Sequence, residues 1–358
     1  AMIIWALAAL IGCGERTEDT ALALTTDTTV PASSGLTWHR DVRPLVEHHC
    51  AVCHYDGGVA PYDFADLQTV EVLGQVMADN VEQRLMPPFG MRDGCRDLKW
   101  DPRLTDDEIA TFVQWAQDGL QLGDDADFSP LSATSRTELR EPDIVVTPLE
   151  PNIPDASSED LRCLPMGYVF DKDTWVTRVE VWPDHTDLVH HTTVYAVTER
   201  GRNDLERLDA EDENPGFPCQ GGSLTGENLL TDQGQVLLGV WAPGFSNSTE
   251  LDETAARRVP AGSELMLAVH FATPTGTTGE VEDYSQVALW TLPEGQQPED
   301  LLFTLDVKNF YLAILPDETA HTEVGEVHLP AFDLTIVGAS PHMHLLGTEQ
   351  QTALIRPD

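Results

Sequence analysis

The chain has 358 residues, enough for two or three domains with their own cores, since one domain usually holds about 100 to 200 residues. Against 20 basic side chains stand 61 acidic ones, a formal charge of -41. A surface this negative repels phosphate backbones and anionic lipid headgroups, which excludes nucleic acid as a partner and says nothing of fold or catalysis.

Residues 1–12 form an apolar run too short to span a bilayer and of the length of an export signal. Leu10-Ile11-Gly12-Cys13 looks like a bacterial lipobox with Cys13 as the lipidated residue, although no basic residue precedes it and Ala1 stands before Met2. Residues 14–36, rich in Thr, Ser and Asp, read as a disordered tether. The expectation is an exported, lipid-anchored protein at the periplasmic or outer surface.

Residues 37–122 carry helical patterns. The clearest starts at Thr105, where Thr105 and Glu108 have the spacing of a capping box ahead of Ile109, Phe112, Val113 and Ala116, with Gly119 as the stop. Upstream, Cys50-Ala51-Val52-Cys53-His54 is the C-x-x-C-H signature of haem attachment: two thiols on one side of a turn bond the haem vinyls, and the adjacent His is an axial ligand. The rivals are a dithiol redox pair and half of a zinc site, but no second C-x-x-C follows and no strand precedes the motif. The opposite axial ligand is expected to be Met86, because Pro87 and Pro88 stiffen its loop; Met77 and Met91 compete. His48 and His49 read as solvated helix positions. In their order of helix, motif, Met loop and final helix, residues 37–122 resemble the small class I cytochrome c domains. Residues 123–142 have linker composition.

From 143 the pattern turns to short runs rich in Val, Thr, Trp and Leu between Pro and Gly turns. Strands are expected at 175–182, 189–198, 265–273 and 332–339, in an all-β, jelly-roll-like sandwich over 143–308 and the beginning of a second sandwich over 309–358. Five of the 12 histidines fall in these contexts: His190, His191, His270, His342 and His344. Residues two apart share a strand face, so His342 and His344 can converge on one ion. The neighbours His190 and His191 point to opposite faces unless the strand is bulged or twisted. His321 and His328 read as unrelated to any site.

Val189-His190-His191-Thr192, Leu267-Ala268-Val269-His270-Phe271 and Pro341-His342-Met343-His344-Leu345-Leu346-Gly347 resemble the copper motifs of the type II, ascorbate-dependent copper monooxygenases. The resemblance covers about residues 150–358, Trp241-Ala242-Pro243-Gly244 among them. It implies an electron-transferring copper on His190, His191 and His270, and a second, catalytic copper begun by His342 and His344, where O2 meets a small organic substrate. It also implies a disulfide between Cys163 and Cys219, which leaves Cys95 without an assigned role. The family completes its second site with a Met far downstream of the His-x-His pair, and only 14 residues follow His344, so that site is incomplete here. Met343 faces away from its neighbours and does not replace it.

The expected function is hydroxylation of a C–H bond with O2 by an exported copper enzyme. Its electrons would come through the c-type haem, from a donor protein or from ascorbate. The rival is a non-catalytic haem and copper electron carrier. A zinc-bound adhesion module finds no support in the histidine spacing.

Overall fold

The computed structural model describes residues 35–56, 58, 60–89, 98, 101–131, 140–154, 160–219, 234–243, 254–272, 281–305, 307, 314–315, 320–329, 333–339 and 347–355. Cys13, Met91, Cys95, His342, Met343 and His344 lie outside them. No helix among the described residues is long and apolar enough to cross a membrane.

The helical part opens at Thr37, whose hydroxyl accepts from the Arg40 amide; one wide turn, Trp38–Val42, then leads into α1 (Arg43–His49). Helix α2 (Leu67–Glu82) starts at Asp66, whose carboxylate accepts from the Gln68 amide at 3.0 Å. Its buried Val70, Gly74, Met77, Ala78 and Val81 recur at the spacing of one helix face. Helix α3 (Asp106–Gln117) begins with the expected reciprocal cap: the Thr105 hydroxyl accepts from the Glu108 amide at 3.3 Å, and the Glu108 carboxylate accepts from the Thr105 amide at 2.7 Å. Phe112, Trp115 and Ala116 share a core with the buried face of α2 and with Trp38, whose ring centroid is 5.7 Å from that of Trp115. Gly74 permits the close approach, since a Cβ there would lie 2.8 Å from Leu120 and 3.0 Å from Trp115.

His48 is exposed, as expected, but His49 is buried, a correction to its reading as a solvated position. Its Nδ1 lies 3.0 Å from the Pro102 carbonyl and its Nε2 3.4 Å from Glu108, which ties the end of α1 to the start of α3. The chain also stays attached past Leu122. Asp125 receives Arg43 at 2.8 Å, and the Arg43 guanidinium lies 3.9 Å over the Phe128 ring.

Among its described residues the β-rich part has ten strands: β1 (Ile144–Val146), β2 (Asp160–Val169), β3 (Thr174–Trp182), β4 (Val189–Val197), β5 (Phe217–Pro218), β6 (Gln235–Trp241), β7 (Ala255–Val259), β8 (Glu264–Phe271), β9 (Gln286–Thr291) and β10 (Asp300–Leu301). They form two five-stranded sheets, β1-β9-β3-β7-β10 and β5-β2-β8-β4-β6, in which every pair is antiparallel except β10 with β7. Strands expected at 175–182, 189–198 and 265–273 are thus present as β3, β4 and β8. The sheets share one core, with Val176, Val181, Val287 and Leu289 from the first sheet and Leu164, Val194, Leu265, Leu267 and Val269 from the second.

Strand β8 is buried on both faces, which is why it reads as an unbroken apolar run. Leu265, Leu267, Val269 and Phe271 face the shared core, while Met266 and Ala268 face outward into a second cluster with Cys163, Tyr195, Val197 and Phe217. Covering that outer cluster is α4 (Glu199–Glu211), a departure from the all-β expectation. The helix buries Leu205 with Leu208 packed beside it; its other positions are largely charged, with Arg202–Glu206 and Arg207–Glu211 paired four residues apart.

The strand expected at 332–339 does not appear. Residues 333–339 have no regular structure, and no helix or strand forms among the described residues after Leu301. A strand exists only where a neighbour takes up its N–H and C=O groups, and no described residue pairs with this segment.

Leu267→Ala, at the centre of the shared core, is expected to destabilise the β-rich part by about 2–5 kcal/mol, whereas Thr105→Ala should cost only about 1 kcal/mol through its cap. Chemical denaturation followed by tryptophan fluorescence checks both.

Candidate metal centre

Strand β4 pairs with β8 in regular antiparallel register from Val197 back to His191, which stands opposite His270. The next recorded pair is Val189 with Phe271, so two residues on β4 are spanned by one step on β8. This is a β-bulge, and His190 is the extra residue. Its effect on side-chain direction is decisive. Thr193, Tyr195 and Val197 alternate toward the outer face and His191 continues their row, while Val189 is fully buried in the shared core. With the alternation broken, His190 turns out beside His191, and both meet His270, which continues the outward row of Met266 and Ala268.

The result is a compact triad. His270 Nδ1 lies 3.4 Å from His190 Nδ1 and 3.3 Å from His191 Nδ1, and one ligand atom from each of the three residues lies within 4.8 Å of the others. Imidazole nitrogens bound at about 2.0–2.1 Å to a tetrahedral ion stand about 3.3–3.4 Å from one another, so the spacing fits a shared metal ion. A single ion could take a lone pair from each of the three imidazoles at once. His191 and His270 are partly buried and His190 is exposed, so the centre opens to solvent on one side.

The sheet around the triad is stiffened by covalent and hydrogen-bonded ties. Leu161 of β2 is the other cross-strand neighbour of His270, and Cys163 is that of Ala268. Cys163 forms a disulfide with Cys219, the pairing that the family resemblance implies, and the Cys219 amide donates to the Leu161 carbonyl at 3.0 Å. On the other flank Trp241 of β6 pairs with Thr192. The three histidines therefore stand on two adjoining inner strands of a five-stranded sheet, where neighbours on both sides fix the backbone.

In the helical part, Cys50, Cys53 and His54 share one turn that prolongs α1: the amides of Cys53 and His54 both donate to the Cys50 carbonyl, at 3.0 and 2.9 Å. Both thiols are free. Burial, with Cys53 nearby, pushes the Cys50 thiol up to about 12, and burial also raises Cys53. Thiols raised in this way stay protonated near neutral pH, so neither is a ready nucleophile as it stands.

His54 Nδ1 lies 3.1 Å from the Pro61 carbonyl and 3.3 Å from that of Tyr62. A carbonyl can only accept, so the ring proton sits on Nδ1 and Nε2 is left with its lone pair, the form in which imidazole binds a metal. The imidazole also stacks on Phe64, with centroids 4.2 Å apart and planes inclined by 15°. Neither Pro61 nor Phe64 is marked by the motif itself. Gly58 is the one local signal of the loop that brings them back, because a Cβ there would lie 2.5 Å from the Cys53 carbonyl oxygen. Met86 stands 41 % exposed on the segment after α2, and its competitor Met77 is committed to the core.

No protein-family model and no curated protein matches the chain. The chemistry of the triad therefore rests on its own donors: three imidazole nitrogens, with no thiolate or carboxylate grouped with them among the described residues, and an exposed His190.

Replacing His190, His191 or His270 singly by Ala is expected to lower copper or zinc affinity by more than the roughly 10- to 100-fold typical of losing a supporting partner, and acidification should release the metal because only neutral imidazole binds. Competitive titration with a chromogenic chelator measures both. Replacing Cys163 and Cys219 together by Ser should cost about 2–4 kcal/mol in denaturant melts, since the bridge closes a 56-residue separation.

Proposed function

We propose that this protein is an exported copper-dependent monooxygenase that hydroxylates a C–H bond of a small organic substrate with O2, and that a c-type haem on Cys50, Cys53 and His54 passes it electrons. The observation that carries the reading is the convergence of three Nδ1 atoms on the bulge between β4 and β8, which suits nitrogen-preferring metals. The motif resemblance to the type II copper monooxygenases then favours copper over zinc. Bound copper would supply one-electron chemistry, since neutral imidazoles tolerate both Cu(I) and Cu(II).

The roles of the residues follow from their chemistry. His190, His191 and His270 hold the electron-transferring centre, with His190 at its solvent side. His54 would hold the haem iron through Nε2, with its Nδ1 proton kept on the Pro61 carbonyl. Cys50 and Cys53, one helical turn apart, would attach the haem through thioether links, and Met86 would be its second protein ligand. His342 and His344 begin the second copper site, where O2 and substrate meet. In this reading residues 37–122 adopt a cytochrome c fold and 143–308 a jelly-roll sandwich. Cys13 anchors the chain to a membrane surface, and ascorbate or a donor protein reduces the haem.

The test uses the full chain, matured with haem and loaded with copper. Rapid mixing of the reduced haem form with O2 should show haem reoxidation that depends on copper and disappears in His191→Ala. Haem that stays reduced while copper turns over would sink the electron route. Copper-dependent haem reoxidation without any copper-dependent O2 uptake would instead leave an electron carrier.

A further inference from the structure

A second cluster of polar atoms lies buried on the side of the β-rich part where the β3–β4 turn leads into the triad. Asn152 and Asp283 exchange backbone hydrogen bonds, the Asn152 amide donating to the Asp283 carbonyl at 3.0 Å and the Asp283 amide to the Asn152 carbonyl at 2.8 Å. Residues paired in this way turn their side chains to the same face with Cα atoms about 5.5 Å apart. The Asn152 carboxamide and the Asp283 carboxylate are therefore neighbours, and they are 0 % and 1 % exposed.

Their surroundings do not balance them. Asp283 accepts from the Ser285 amide at 3.2 Å and from the Ser285 hydroxyl at 2.9 Å. Neither Oδ1 nor Nδ2 of Asn152 has a hydrogen-bond partner. Asp184 brings a second carboxylate to the solvent-facing rim of the same stretch, its side chain 43 % exposed: its amide donates to the Ser285 hydroxyl at 3.2 Å and its carboxylate accepts from the Tyr284 amide at 3.1 Å. Among the described residues no Lys or Arg pairs with Asp283 or Asp184; His185 lies 3.9 Å from the Asp184 carboxylate. Burial raises the Asp283 carboxyl above the usual carboxylate range, against the Ser285 hydrogen bonds that lower it. With its pKa raised by folding, its ionisation erodes stability as pH rises through that value, unless a positive charge arrives. A buried carboxylate without a cation and a buried amide without a partner each cost free energy.

We infer that Asn152, Asp283 and Asp184 form a site for a hard divalent cation of the calcium class. The donors on offer are oxygens, which such ions take and which imidazole-seeking metals do not prefer. The formal charge of -41 also concentrates cations around the molecule. The ion steadies the turn between β3 and β4. Within that turn the His185 carbonyl accepts from the amides of Leu188 and Val189 at 3.0 and 2.8 Å, and Leu188 in turn accepts from Ala272, just beyond β8. The site thus braces the backbone that enters the bulge at His190, whichever metal the histidines hold.

The test is thermal denaturation of the full chain, with its copper content assayed, in EGTA and then in Ca2+. Ca2+ should raise the melting temperature by several degrees, and Asn152→Ala and Asp283→Asn should abolish the shift. Asn152→Asp keeps the result readable if those variants fold poorly. It adds a carboxylate, so it should melt lower than the parent in EGTA and bind Ca2+ roughly tenfold or more tighter. Identical melting of the parent in EGTA and Ca2+, or an Asn152→Asp variant weakened equally in both, overturns the site and leaves a buried water or proton in its place.

Discussion

Strand β4 has to satisfy two apolar clusters that are out of phase by one residue. Toward its end Val194 and Ala196 point into the shared core and Tyr195 and Val197 into the cluster under α4. At its beginning Val189 points into the shared core as well, although strict alternation from Val194 would turn it outward. Both ends are buried, so neither can yield without exposing apolar surface worth about 1.5–3 kcal/mol per large side chain. One inserted residue reconciles them, and it falls at His190. The hydrogen-bond cost is small, since the extra residue stands at the solvent-facing end of the strand. The convergence of adjacent histidines is thus a consequence of core packing, and the triad inherits the rigidity of the core that imposes it.

That rigidity has further sources. Strand β8 is sealed on both faces, and rows of residues run straight across β2, β8 and β4: Cys163, Ala268 and Thr193 in one, Leu161, His270 and His191 in the next. The first row carries the disulfide, and the second carries two of the three histidines that could hold an ion. A ligand set on such a surface cannot collapse far when empty, which keeps the nitrogens near coordination spacing. The exposed bulge residue is the exception, and it is the ligand with most freedom to adjust as an ion changes its preferred geometry.

Much of this was legible beforehand where the cause is local. The cap at Thr105 and Glu108, the turn at Cys50 to His54, and three of the strands follow from spacing within a few residues, and the histidine pair already required a bulge to act together. What escaped depends on distant partners. His49 reads as a solvated helix position because Glu108, which receives it, is 59 residues away. Helix α4 shows mainly charge, because a helix lying on a sheet needs only Leu205 and Leu208 to hold it once the sheet supplies the rest of the apolar surface. Residues 333–339 show the reverse: their composition suits a strand, but composition cannot provide the neighbour that a strand requires. Cys163 and Cys219 were joined only by family likeness, and the ladder places Cys163 opposite Phe217, two residues from its partner.

The two polar clusters on this fold differ in what they ask of an ion. The triad presents neutral nitrogen donors at the surface, which bind borderline metals strongly and gain little from an alkaline-earth ion. The Asn152–Asp283 pair presents oxygen and negative charge in a buried setting, where desolvation penalises any ion that the ligands do not neutralise. Donor type therefore sorts the metals without either site being shaped for one ion alone. The strongly acidic surface raises the local concentration of all cations alike and cannot discriminate between them. Selectivity must reside in the first ligands, and the turn from Asp184 to Val189 joins the two sets through the backbone, so that order gained at the oxygen site is passed to the histidine at the bulge.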